Sequence, residues 1–123
     1  MKFIHTADIH LGAEPDAGSS YSTERPEELW NSFERLLDVC EEEQTDLLLV
    51  AGDLFHRQPL RKELKELDYL FSRLTHTQVV LMAGNHDYLK STSYYRNYPW
   101  PYSARYYLSG NHRNYPYSYS VRI

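Results

Sequence analysis

The chain predicts an α/β fold in which parallel strands alternate with helices in the order β-α-β-α-β. Three observations carry this expectation. The apolar runs Lys2–Ala7, Asp46–Ala51 and Gln78–Ala83 have the length of strands. The intervals between them hold amphipathic helical patterns. Each run leads into a polar cluster that pairs a carboxylate or amide with a histidine: Asp8-Ile9-His10, Gly52-Asp53-Leu54-Phe55-His56 and Gly84-Asn85-His86-Asp87. Connections this long join parallel strands through right-handed crossovers.

Taken in order, Lys2–Ala7 is the first strand, and Ala17-Gly18-Ser19-Ser20 is a polar loop. Pro26 opens the first helix, where a first-turn proline costs no hydrogen bond. Leu29, Phe33, Leu36, Leu37 and Cys40 recur at three- and four-residue steps and mark its buried face. Glu41-Glu42-Glu43 is its expected solvated end, although acids there oppose the helix dipole. Asp46–Ala51 is the second strand, and its unbroken apolar run fits a parallel strand covered on both faces. Leu60, Leu64, Leu67, Leu70, Phe71 and Leu74 mark a second helix, and Gln78–Ala83 the third strand. Residues 1–88 form this unit. Residues 89–123 hold nine of the twelve tyrosines, Trp100 and three prolines without clear periodicity, apart from a short strand pattern at Arg105–Leu108. That tail is expected to be irregular or partly disordered.

Composition narrows the function. At 123 residues the chain supports one small domain. Its single cysteine, Cys40, excludes an intrachain disulfide and fits a small core residue. No apolar stretch approaches the ~20 residues of a membrane span. Asp8 and His10 interrupt the apolar N-terminus, so no signal peptide is expected and the cytoplasm is the default compartment. The net charge of −4 is uneven, at −9 for residues 1–87 and +5 beyond. An acidic body does not attract nucleic acid over its whole surface. DNA contact would be local, through bound metal, the Arg57/Arg61/Lys62/Lys65 cluster or the tail.

Strand exits of a parallel sheet gather on one edge, which is where such sheets bind ligands. Asp8, His10, Asp53, Asn85 and His86 are all expected there. Asp8 and His10 offer a carboxylate and an imidazole to one cation. Asp53 has the lone pairs to bridge two cations, and Asn85 adds a neutral oxygen. Such mixed ligation suits Mn²⁺, Fe or Zn²⁺ better than calcium. Two ions ~3.5–4 Å apart would clamp a phosphate and generate a nucleophile. His86 would protonate the leaving oxygen, and Asp87 would hydrogen-bond His86 or fix the turn. An isolated strand-end aspartate more often caps a turn, but three equivalent exits favour the metal reading for Asp8. His5 is expected to be packed or hydrogen-bonded, and His76 and His112 solvated. His56 is balanced between a substrate contact and a structural role. The tyrosines of the tail would either stack on bases or belong to a poorly packed segment.

Together, Asp8-x-His10, Gly52-Asp53 and Gly84-Asn85-His86-Asp87 resemble the first three motifs of the calcineurin-like metallophosphoesterases. The surrounding words, from Met1-Lys2-Phe3-Ile4-His5-Thr6 through Leu54-Phe55-His56 to Tyr88, resemble the SbcD nuclease family of bacterial SbcCD DNA-repair complexes. The likeness runs to about Leu108. It implies the parallel-sheet half of a four-layer α-β-β-α sandwich and metal-dependent exonuclease and endonuclease activity on DNA. Two divalent ions are implied, Mn²⁺ first, with Mg²⁺, Fe or Zn²⁺ as alternatives. By the same resemblance Asp8 and His10 bind the first ion, Asp53 bridges and Asn85 binds the second. His86 contacts the scissile phosphate, and His56 and Asp87 help orient DNA. The implied partners are DNA, a second copy in a homodimer, and the ABC-type ATPase SbcC; no membrane is implied.

The family site also draws on a later histidine and a Gly-His-x-His word. Neither occurs in these residues, and His112 lies in Gly-Asn-His-Arg. The expectation is therefore an N-terminal part of the domain, weakly active or inactive alone, with an incomplete second metal position. The competing readings are a phosphoesterase of the same superfamily acting on a small phosphodiester or phosphoprotein, and a non-catalytic partner-binding module.

Overall fold

The strands pair side by side in chain order. In the computed structural model, residues 1–14, 25–90 and 92–101 are described, with the backbone of residues 106–109. The elements are β1 (Phe3–Thr6), α1 (Arg25–Glu42), β2 (Leu47–Ala51), α2 (Arg61–Ser72), β3 (Gln78–Met82), α3 (Tyr94–Asn97) and β4 (Tyr106–Ser109). They form one parallel sheet in the order β1-β2-β3-β4. The loop expected at Ala17–Ser20 and the residues around His112 lie outside the described segments.

Register determines which side chains share a face. Leu48 and Val50 align with Val79 and Leu81. All four are buried in one cluster with Phe33, Leu37 and Cys40 of α1 and Leu64, Leu67 and Phe71 of α2. Both helices therefore cover the same face of the sheet. The opposite face carries Phe3, His5, Leu49, Val80 and Met82, and its described residues are exposed or half-buried. Burial alternates along β2 and β3, so the coverage of both faces expected from the unbroken apolar run is not observed among the described residues. A run of leucines and valines cannot distinguish the two cases, because both faces are apolar. His5 lies on the open face and is exposed rather than packed.

The acidic end of α1 is less solvated than its charge implied. Glu41 accepts from the Thr75 backbone N–H at 3.0 Å and from the Thr75 hydroxyl. Glu43 pairs with Lys2 at 3.3 Å. These acids tie the helix end to β1 and to the α2–β3 connection, which offsets an unfavourable dipole position.

The packed unit does not stop at residue 88. Leu89, Tyr95 and Trp100 are buried in the same core. Tyr95 meets Phe55 edge-on, with ring centroids 5.5 Å apart, and Trp100 stacks on Phe71 at 6.0 Å. Ser93 caps α3 by accepting from Arg96 N–H at 3.2 Å. The irregular structure expected from residue 89 thus gives way to packed structure as far as Trp100, and β4 falls where the short strand pattern at Arg105–Leu108 was expected. Aromatic residues spaced irregularly give no periodic signal, yet each fills a large volume.

Two measurements check this description. Leu81→Ala is expected to cost about 2–5 kcal/mol in urea unfolding, whereas Met82→Ala on the open face costs under about 1 kcal/mol. Asp46 accepts from Lys2 N–H at 2.7 Å and contacts His76 at 2.7 Å. The Lys2 N–H first, and His76 second, hold its carboxyl below the usual 3.8. A lowered folded value means stability that is full above the unfolded value and lost as pH falls through the folded one. Asp46→Asn should therefore lower the unfolding midpoint at neutral pH, and the gap to wild type should close below pH 3.8.

Candidate metal centre at the strand exits

Beyond their last strand residues, β1 and β2 continue to pair. Asp8 N–H donates to Gly52 O at 3.1 Å, His10 N–H to Asp53 O at 3.0 Å and Leu11 N–H to Leu54 O at 2.7 Å. His56 N–H returns to Leu11 O at 2.9 Å. Leu11, Leu54 and Phe55 are buried, which pins both loops to the core. The polar residues between these anchors, Asp8, His10, Asp53 and His56, are thereby brought onto one edge.

The backbone is bent sharply at the same residues. Asp8, His10 and Asp53 have φ of 55°, 56° and 50°. Left-handed conformations are uncommon for residues other than glycine and concentrate where function demands them. Gly52 precedes Asp53 with φ of 89°, a value that glycine adopts freely. Gly84 serves a different need, close approach. A Cβ there would overlap Asp53 Oδ1 and press on the Asp53 backbone nitrogen.

The third exit is locked to the second. Asp87 is fully buried and accepts from Gly84 N–H at 2.7 Å and Phe55 N–H at 3.1 Å. Burial pushes its carboxyl above the usual range, although these two donors oppose the shift. A side chain so enclosed fixes the turn, one of the roles expected of Asp87, with its oxygens committed to these two backbone N–H groups. His86 N–H donates to Asp53 Oδ1 at 2.9 Å, and Gln58 Nε2 donates to Tyr88 O at 2.8 Å.

Asp8, His10 and Asp53 each present a ligand atom within 4.8 Å of one another. Asn85 joins them: its amide NH₂ donates to both Asp53 oxygens, at 3.3 and 2.8 Å, and a turn of the amide would bring its oxygen to the same place. The donor set of two carboxylates, one imidazole and one amide oxygen fits a divalent metal. His10, His56 and His86 form a second group, again with ligand atoms within 4.8 Å. Their ring centroids lie 5.1–5.3 Å apart, with His56 and His86 stacked. The structure thus brings Asp8, His10, Asp53, Asn85, His86 and His56 together and turns Asp87 inward.

One contribution is not announced by the sequence pattern. Arg57 and the buried Glu63 pair at 2.7 Å, and Glu63 also accepts from Leu60 N–H at 2.8 Å. The pair lies against Gly12, where a Cβ would meet Glu63 Oε2 at 3.0 Å. It ties the segment after His56 to that after His10. The signal available was a glutamate three residues after Leu60, at the start of α2.

Comparison with known proteins agrees with this geometry. The calcineurin-like phosphoesterase profile matches residues 1–121. The DNA double-strand break repair protein Mre11 of Aeropyrum pernix is 36% identical over 90 residues, 70% of this chain and 21% of that protein. The SbcD component of the nuclease SbcCD of Escherichia coli K12 is 32% identical over 90 residues, 71% of this chain and 21% of that one. An uncharacterized metallophosphoesterase of Bacillus subtilis, YhaO, is 34% identical over 99 residues, 72% of this chain and 24% of that one. The chain spans about a fifth of the length of these relatives. Phosphoesterases of this kind use divalent metals, which is the chemistry the donor set fits. With all but the last two residues matched, the chain belongs to the calcineurin-like phosphoesterase family.

Proposed function

We propose that this chain carries part of the catalytic centre of a metal-dependent DNA nuclease of the Mre11 and SbcD type, with Mn²⁺ as the working ion. The observation that carries the reading is the oxygen-rich pocket of Asp8, Asp53 and Asn85, with His10 and His86 beside it. Asp8 and His10 would hold a first cation, and Asp53 would share its carboxylate with a second that Asn85 also contacts. When bound, the cations supply Lewis-acid polarisation of the phosphate and a lowered water pKa.

The chain's own residues do the rest. The His86 backbone N–H holds one Asp53 oxygen in place. The His86 ring places Nδ1 3.0 Å from His56 O. A carbonyl only accepts, so Nδ1 carries the proton of the neutral ring and Nε2 is left to face the phosphate. In the protonated ring Nε2 is a donor suited to a leaving oxygen. His56, stacked on His86, would steer the DNA backbone. The proposed partners are DNA, a second copy of the chain and an ABC-type ATPase such as SbcC, in the cytoplasm.

The test is cleavage of linear duplex DNA by the full chain in Mn²⁺. Cleavage should vanish with chelator and fall at least about 100-fold in Asp53→Ala. Turnover of a small aryl phosphodiester without DNA cleavage would replace this reading with a small-ester phosphoesterase. No turnover of either, with retained binding to the ATPase, would make the chain a non-catalytic module. Gly84→Ala checks the geometry separately. Its Cβ displaces Asp53, so Mn²⁺ affinity measured by electron paramagnetic resonance should fall at least about 10-fold.

A further inference from the structure

The three histidines at the strand exits do more than border the carboxylate pocket. His10 Nδ1 and His56 Nδ1 are 3.2 Å apart. In the neutral pair a single proton lies between two lone pairs, and a cation can take its place. Two nitrogens on a tetrahedral zinc, each at ~2.0–2.1 Å, are separated by about 3.4 Å. The pair is therefore already at chelating distance. His86 supplies the third nitrogen. Its Nδ1 proton is committed to His56 O at 3.0 Å, which leaves the Nε2 lone pair available. A backbone carbonyl on the second ring nitrogen is the usual orienting device of a metal-binding histidine. His10 Nε2 lies 3.9 Å from Asp8 Oδ1, near enough for charge attraction but beyond hydrogen-bond reach.

The supports are rigid. His56 N–H is bonded to Leu11 O at 2.9 Å, and the neighbouring Phe55 is fully buried. His86 N–H is bonded to Asp53 Oδ1 at 2.9 Å. The rings of His56 and His86 are exposed, so an ion can reach them from solvent.

We propose that His10, His56 and His86 form a three-imidazole site that takes Zn²⁺ and leaves a fourth position open. Neutral nitrogen ligands favour zinc over manganese, whereas the oxygen-rich set of Asp8, Asp53 and Asn85 favours manganese. The two sites share His10 and are mutually exclusive. With zinc on Nδ1, the His10 ring is withdrawn from the carboxylate pocket. His86 is withdrawn from the phosphate at the same time. Zinc would thus hold the centre in a state without hydrolysis; this consequence rests on the proposed function, while the binding site does not.

The test measures binding on the full chain, with Zn²⁺ affinity from competition against a chromophoric chelator and Co²⁺ as spectroscopic probe. Wild type should bind Zn²⁺ and give the intense visible bands of four-coordinate Co²⁺. His56→Gln should weaken Zn²⁺ at least about 100-fold while Mn²⁺ affinity stays within about 3-fold, and Asp53→Asn should do the reverse. Failure of wild type to bind Zn²⁺, an unchanged Zn²⁺ affinity in His56→Gln, or loss of Zn²⁺ in Asp53→Asn each overturns the proposal. Should His56→Gln lose both metals, His86→Gln decides: loss of Zn²⁺ with Mn²⁺ kept supports the site, and any other result overturns it. If the Mn²⁺ form proves unable to cleave DNA while this binding pattern holds, the proposed function falls and the zinc site stands.

Discussion

The centre depends on four backbone hydrogen bonds that zip the loop after β1 to the loop after β2, from Asp8–Gly52 to His56–Leu11. Strands of four and five residues end too early to position a side chain at Leu11 or His56. The zipped loops extend the parallel pairing to the bridge between Leu11 and Phe55. Leu11 and Leu54 are fully buried, so the bond between them is formed away from water, where leaving a donor or acceptor unpaired costs about 1–3 kcal/mol. The polar residues between the anchors inherit that rigidity.

Strain and charge are then tolerated because the frame over-determines them. Asp8, His10 and Asp53 all occupy left-handed backbone conformations, at a cost of order 1–3 kcal/mol each. Asp87 is buried although burial disfavours its charged form. What it returns is positional: one side chain holds Gly84 and Phe55, and so joins the third exit to the second. Gly84 completes the joint by letting Asp53 approach to a distance no other residue allows.

Much of this was legible in the sequence. Strand exits carrying Asp, Asn and His announce themselves, because polar residues directly after apolar runs are conspicuous and a parallel sheet gathers them. The helices were legible through the spacing of Phe33, Leu37 and Cys40 and of Leu64, Leu67 and Phe71. For Asp87 the sequence offered turn-fixing only as one of several roles, because an aspartate beside a histidine looks the same whether it faces solvent or two backbone N–H groups. The docking of Tyr95 beneath Phe55 and Trp100 on Phe71 was not legible, since isolated aromatics in a tyrosine-rich segment carry no period. The Arg57–Glu63 ion pair was hidden for a similar reason, since a single Arg and a single Glu six residues apart carry no pattern that announces their contact beside Gly12.

The open face of the sheet bears on how the centre holds together. Phe3, Leu49, Val80 and Met82 lie on the face away from α1 and α2, and each is exposed or half-buried. If the metal residues were fixed by packing on that face, they would be loose in this arrangement. They are fixed instead by loop-to-loop hydrogen bonds and by Leu11, Leu54 and Phe55, which are buried in the cluster on the helical side. Tyr95, from beyond the third exit, packs under Phe55 and extends that support. The arrangement of Asp8, His10, Asp53 and Asn85 is therefore a property of one sheet layer and its helices. Additional ligands from elsewhere would complete the coordination of such a pocket without being needed to build it.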